Sequence, residues 1–365
     1  MSPNHGTQTL TAKTSLGFWL ASVFLLLILI WINGIKLVPP QHYQKLSQNP
    51  FITRTDIDKE NYFQETVLLP LLAYYTGWTE PLSFNTLCFV IVIVAYLFYA
   101  RLAMAKFGAR TALLFTSILI TAPISTILFS WIGSPDGITF FLTVPFLFTK
   151  STILILVFGI LGVTNHIIFG VAAFEILLLR WMAKDGIHAA HVIIQLVGGA
   201  IGYLLMRLFL TLNHITIFSR LDFILSRGIA EWLELNRMNL SLTIFSFFNV
   251  EWLLVLACIL LFFPKDFRYY LSVCALLLIN YGITFFTLDK TRIFSLLSWG
   301  ILIQCLIHSW SLIVRTEQGE TNRSHWFARF ATIVAIWSFL MPRFYSWNGN
   351  LYIVSLWKLI LQKFS

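Results

Sequence analysis

Carboxylates, a histidine and basic residues that can do chemistry fall in a few short polar stretches of an otherwise apolar chain. The densest stretch is Thr53-Arg54-Thr55-Asp56-Ile57-Asp58-Lys59-Glu60, where Asp56, Asp58 and Glu60 occupy alternate positions. A carboxylate there can take a proton from a hydroxyl or amide acceptor. A pair can hold a divalent cation, Mg2+ or Mn2+, with water and phosphate oxygens completing its shell. The competing role is that of a solvated loop. A lone acid, Asp136, sits in the turn Trp131-Ile132-Gly133-Ser134-Pro135-Asp136-Gly137, where Ser134-Pro135-Asp136 also reads as a helix start. Asp136 is therefore either a helix cap, an acid facing a cavity, or both.

The stretch Thr287-Leu288-Asp289-Lys290-Thr291-Arg292 is a compact charged patch. Asp289 and Arg292 are three apart and share a face if helix continues through them. An arginine holds phosphate with two parallel donors, and Lys290 adds a point charge. The alternative is a short hairpin with an internal ion pair. Asn165-His166 offers a base or phosphate contact, since histidine titrates near neutral pH, or else a buried hydrogen-bonding pair. Glu175 lies in an apolar stretch, where an acid faces a partner or a water-filled cavity. Arg180 is its nearest candidate partner in sequence.

The elements that must position these groups are apolar helices. Of 365 residues, 58% are hydrophobic and 11% charged, and the mean hydropathy is +0.79. A soluble domain carries about 25% charged residues. The apolar runs approach the roughly 20 residues that cross a hydrocarbon core, and stretches such as 25–30 lack the alternation of a barrel strand. The expected fold is all-α: one polytopic transmembrane helical bundle spanning residues 1–365. It has about eleven spans, near 17–32, 84–100, 111–131, 137–149, 151–164, 167–182, 188–210, 245–263, 269–287, 293–314 and 326–342. Residues 1–15 form a tail, and 35–83 a long loop whose apolar piece at 67–75 is an interfacial helix. Residues 343–365 form a second tail, with an interfacial helix or a short last span.

Lys13, Arg101, Lys106, Arg110, Lys150, Arg180, Lys184, Lys265, Arg268, Arg315, Arg323 and Arg329 fall on one side of this arrangement, and the short loops of the other side hold only Lys290 and Arg292. Cytoplasmic loops collect Lys and Arg. The expected placement is therefore multi-pass in a plasma (inner) membrane, with the N-terminus cytoplasmic and most acids on the outer face. The net charge of +9 comes without the Lys/Arg cluster a nucleic-acid surface needs, so nucleic acid is excluded as a partner. The chain has no phosphate-binding glycine loop, dinucleotide fingerprint, HExxH or GxSxG. Cys88, Cys258, Cys274 and Cys305 sit singly in apolar stretches, as small core residues do.

This arrangement resembles the GT-C superfamily of integral-membrane glycosyltransferases, which take sugars from polyprenyl-phosphate donors. The likeness covers roughly residues 16–310. It consists of a first span, an acidic outer loop (Asp56, Asp58, Glu60), a surface helix over 62–75, a second outer loop with Asp136, short spans interrupted by Asn165-His166, and a late turn with Asp289 and Arg292. The resemblance implies transfer of a sugar from a lipid-phosphate carrier to a glycan, lipid or protein acceptor on the outer face. It implies an Asp of the first loop as base, Asp136 as a second acid or a metal-linked residue (with Asp58), and Lys290 or Arg292 as the donor-phosphate contact. Glu60, His166 and Asp289 complete the substrate-binding set. Three alternatives stay open: a transporter or flippase built around Glu175, Gly198, Gly199 and Gly202, an envelope glycan polymerase or ligase, and a non-catalytic subunit.

Overall fold

The computed structural model describes residues 12–36, 42–55, 61–316 and 322–364. It is all-α apart from one hairpin. Helix α1 (Ala12–Asn33) is followed by three short surface pieces: α2 (Tyr43–Gln48), a 3-10 turn (Asn61–Glu65) and α3 (Leu68–Thr76). The bundle continues through α4 (Pro81–Phe107), α5 (Ala109–Thr121), α6 (Pro123–Ser130), α7 (Asp136–Thr143) with a 3-10 extension Val144–Leu147, α8 (Thr152–Asn165), α9 (Ile168–Met182) and α10 (Ala189–Leu212). After α11 (Arg220–Arg237) and α12 (Leu240–Ser246) come α13 (Trp252–Phe262), α14 (Phe267–Phe285), α15 (Lys290–Thr316) and α16 (Asn322–Leu340). Strands β1 (Arg343–Trp347) and β2 (Asn350–Val354) and helix α17 (Leu356–Phe364) close the chain.

Among the described residues five helices are long and apolar enough to cross a membrane: Leu16–Asn33 within α1, then α4, α10, α14 and Lys290–Arg315 within α15. The number rises to seven if two bent pairs each count as one span, α5 with α6 (56°) and α12 with the stretch Asn249–Phe262 (83°). The molecule thus has the helices of an integral membrane protein, but five to seven candidate spans rather than about eleven. The difference has a physical cause, because apolar composition does not separate a lipid-facing segment from one buried in protein. All eight residues of α6 are buried, as are nearly all of α7 and its extension. At about 1.5 Å per residue, the 14-residue α8 is shorter than a hydrocarbon core of about 30 Å.

The break between α5 and α6 falls at Pro123. Proline has no N–H to give to the preceding turn and pushes the residue before it out of the helical region. Ala122 accordingly sits at φ −63°, ψ 153°. Helix α15 is the centre of the bundle: 78% of its apolar stretch is buried, against 28–39% for the other four spans. Helices α8 and α10 pack closest on glycine. A Cβ on Gly198 would lie 2.8 Å from the Leu156 carbonyl oxygen, and one on Gly202 would lie 2.5 Å from that of Ile160. These glycines, with Gly159 opposite Gly198, let two backbones touch.

Two further expectations change. The tail 343–365 is a hairpin before it is a helix. Asn348 and Gly349 both have positive φ (49° and 71°), the requirement of a two-residue type I′ turn, and they close the register Arg343↔Val354 to Trp347↔Asn350. Glu175 does not pair with Arg180. Its Oε2 accepts from Asn280 (3.1 Å), whereas Arg180 donates to Asp185 (3.1 Å) and to the carbonyls of Phe146 and Thr149 (2.7 and 2.6 Å).

Candidate functional site

Helix α15 begins beside α7, and their first turns carry the two groups at the heart of the site. Arg292 donates from Nε to Asp136 Oδ2 at 2.6 Å and from Nη2 to Asp136 Oδ1 at 2.9 Å. Its Nη1 donates to Asp289 Oδ2 at 3.0 Å. The guanidinium also lies 5.0 Å from the ring centre of Trp131. Asp136 is 1% exposed and Arg292 9%, so the fork-to-fork pair works at low dielectric, where a charge-assisted bond is strong and an unpaired charge costly. Asp136 is therefore not the cap of α7: Pro135 precedes the helix without a side-chain cap, and the carboxylate points across to α15.

Arg292, Asp289 and His166 line a cavity of about 340 Å³. Its walls are aromatic (Tyr43, Tyr62, Phe63, Trp131, Phe223, Phe286 and Trp347), with Arg220 as a second cation. Segments distant in sequence meet here because specific bonds fasten each one. Thr164 accepts at its carbonyl from the Val67 amide (3.0 Å), which ties α3 to the end of α8. Asn165 donates to the Pro135 carbonyl and to Thr139 Oγ1, both at 3.0 Å, and so fixes the start of α7. The Asn348 amide donates to the Leu288 carbonyl (2.8 Å), which holds the hairpin tip, with Trp347, over the turn before α15. Arg220 donates to Glu65 Oε2 (2.8 Å) and lies 5.2 Å from the Tyr62 ring centre, joining α11 to the first surface layer.

The protonation states follow from burial. Asp289 is held above the usual carboxylate range chiefly by desolvation, with the Arg292 charge opposing. Its Oδ1 is buried and has no hydrogen-bond partner. His166 is pushed well below its ordinary value by burial, then by the charges of Arg220 and Arg292. Its Nδ1 accepts from the Ile168 amide at 3.2 Å, which assigns the single proton of the neutral ring to Nε2. His166 is thus a neutral donor at the cavity wall, not a cation for phosphate. Burial raises Tyr43, against the pull of Arg292 and Arg220.

Of the residues singled out in the sequence, Asp136, His166, Asp289 and Arg292 come together. Lys290 does not: it is 2% exposed, and its Nζ donates to the Leu235 carbonyl at 2.6 Å, away from the cavity. Asp56, Asp58 and Glu60 lie outside the described residues. Asp136 does not suit a divalent cation, since both its oxygens face the Arg292 guanidinium. Among the described residues no three His, Cys, Asp or Glu side chains group closely enough to hold a metal. Sequence reasoning missed Tyr43 and the aromatic walls, and gave Arg220 no role in a site. Arg220 has no motif around it, and its partner Glu65 is 155 positions away.

No protein-family model, curated protein or solved structure matches the chain. Fold and site together give a helical protein with helices long and apolar enough to cross a membrane and an aromatic-walled cavity lined by Asp289, Arg292 and His166.

Proposed function

We propose that this cavity transfers a sugar from a lipid-phosphate carrier to a hydroxyl or amide acceptor at the outer membrane face. The observation that carries the reading is Asp289 Oδ1, a buried carboxylate oxygen without a partner at the wall of a cavity that also presents Arg292. In the transfer, Asp289 takes the acceptor proton as the acceptor atom bonds to the anomeric carbon. The bond from that carbon to the phosphate oxygen breaks, and the lipid phosphate leaves with the electron pair. Arginine has five N–H donors, and three of those of Arg292 serve Asp136 and Asp289. A fourth meets the Tyr43 hydroxyl, which leaves one N–H for the leaving phosphate. Asp136 is then a positioning residue that aims the guanidinium, and the aromatic walls pack the apolar faces of the sugar and the carrier.

The same proposal gives the orientation. The Lys36 amide, just beyond α1, donates to the Phe129 carbonyl (3.0 Å) near the cavity, so a cytoplasmic N-terminus puts the cavity outside. Asp289→Asn keeps the shape and removes the base, and should lower transfer from a polyprenyl-phosphate sugar by about 100- to 10,000-fold in protein that still folds. Asp56→Asn and Asp58→Asn are made alongside. Wild-type rates in Asp289→Asn with loss in either first-loop variant would move the base to that loop. Wild-type rates in all three would end the transferase reading.

A further inference from the structure

The end of α15 opposite the first cavity lies beside a second and larger one, of about 700 Å³, which the proposed reaction does not use. Three chain segments supply cations to it: Lys184 from the turn between α9 and α10, Lys265 and Arg268 from the turn into α14, and Arg315 from the last turn of α15. Asp266 is the one carboxylate among its lining residues, and it is already engaged. Its Oδ2 meets His308 Nε2 at 3.1 Å, and its Oδ1 caps α14 by accepting from the Tyr269 amide at 3.3 Å. The neighbouring acid, Asp185, is drawn off to Arg180 and Lys106 (3.1 and 3.0 Å). Among the described residues no ion pair joins Lys184, Lys265, Arg268 or Arg315 to an acid.

Helix dipoles account for part of this charge and not for the rest. Lys184 and Arg315 follow or end helices, where a cation is favoured. Lys265 likewise follows α13, its amide donating to the Phe262 carbonyl (2.9 Å), whereas Arg268, in the first turn of α14, sits at the positive end of a helix, where a cation is disfavoured. The four cations share one cavity with a single carboxylate that is already bonded, so an anion bound among them would relieve their mutual repulsion. The walls beside them are apolar, from Trp181, Met182, Ile187 and Leu312.

We propose that this second cavity binds a phosphate-bearing anion, either the headgroup of an anionic lipid or a soluble phosphate compound. Lys265, Arg268 and Arg315 contact the phosphate, and the apolar wall takes the organic part. The full chain in phosphatidylcholine nanodiscs is titrated with inorganic pyrophosphate while Tm is followed, because a ligand that binds only the folded state raises Tm. A saturable rise is expected, with the apparent affinity about tenfold weaker in Lys265→Gln/Arg268→Gln. Exposed Arg101 serves as control, and Arg101→Gln should respond as the wild type does. Phosphatidylglycerol in the disc distinguishes the sources. If it raises Tm by itself and suppresses the pyrophosphate response, the headgroup is the ligand. If it does neither, the ligand is soluble. Should the double variant not fold, Arg315→Gln, at an exposed helix end, gives the same reading. The proposal is overturned if neither pyrophosphate nor phosphatidylglycerol moves Tm in the wild type, or if the variants respond as the wild type does.

Discussion

Asp136 and Asp289 bind the same guanidinium, yet their environments give them opposite effects on stability. Asp136 has both oxygens paired and is nearly fully buried. Asp136→Asn leaves Arg292 with half its partner, and breaking a buried pair costs about 3–5 kcal/mol. A large fall in Tm is expected. Asp289 is raised by burial, so the folded state holds its proton more tightly than the unfolded chain does. Its contribution to stability is present at low pH and is lost as pH rises from the unfolded value of about 3.9 through the folded one. Burial makes ionisation of this group costly above that range, so near neutral pH Asp289→Asn should leave Tm unchanged or higher while transfer is lost. A Tm loss as large as that of Asp136→Asn would make Asp289 a structural partner only. His166 has the reverse linkage. Folded, it stays neutral, while the unfolded chain takes up a proton below about 6.5. Stability should fall on acidification below that value by up to about 1.4 kcal/mol per pH unit, and His166→Asn should flatten the difference. Parallel pH–stability curves for the two proteins would contradict a buried neutral ring.

Elements show how much of this molecule its sequence reveals. The helices around Asp136, His166 and Asp289 were expected from apolar runs and turn residues, and those three side chains do share a neighbourhood with Arg292. The fate of each run was not legible, because 137–149 and a lipid-facing span have the same composition while burial by α4 and α9 is decided by tertiary packing. The hairpin did carry a signal: Asn348-Gly349 between two five-residue strands is a strong hairpin signal. Gly198 and Gly202 were legible as small residues, and they serve close contact between α8 and α10. Glu175 and these glycines do not line either large cavity. A Cβ at Gly202 would meet the Ile160 backbone, which cannot rotate away. Gly202→Ala should therefore cost about 1–3 kcal/mol through overpacking, seen as a lower Tm in detergent. An unchanged Tm would show that the two helices have room to separate.

At the scale of the whole molecule, α15 links two cavities of different character. One, at its start, is walled by aromatic rings and holds carboxylates already matched to Arg292. The other, at its end, gathers four cations around one engaged acid. His308 lies sixteen residues along from Arg292, about 24 Å at helical rise, so the two sites belong to opposite ends of the membrane-crossing part. In the proposed orientation the cationic end is inside, where loops collect Lys and Arg, and the aromatic cavity is outside. Accessible positions at the two ends test this directly. Thr55, in the first loop, and Ala105, near the end of α4, are both exposed. Cys88, Cys258 and Cys305 are buried and Cys274 is partly so, which leaves a low background for thiol labelling. Thr55→Cys should react with a membrane-impermeant maleimide in intact cells, and Ala105→Cys only after the membrane is opened. The inverse pattern would turn the molecule over. The carboxylate cavity would then face the cytoplasm, and an acceptor on the outer face could not reach Asp289.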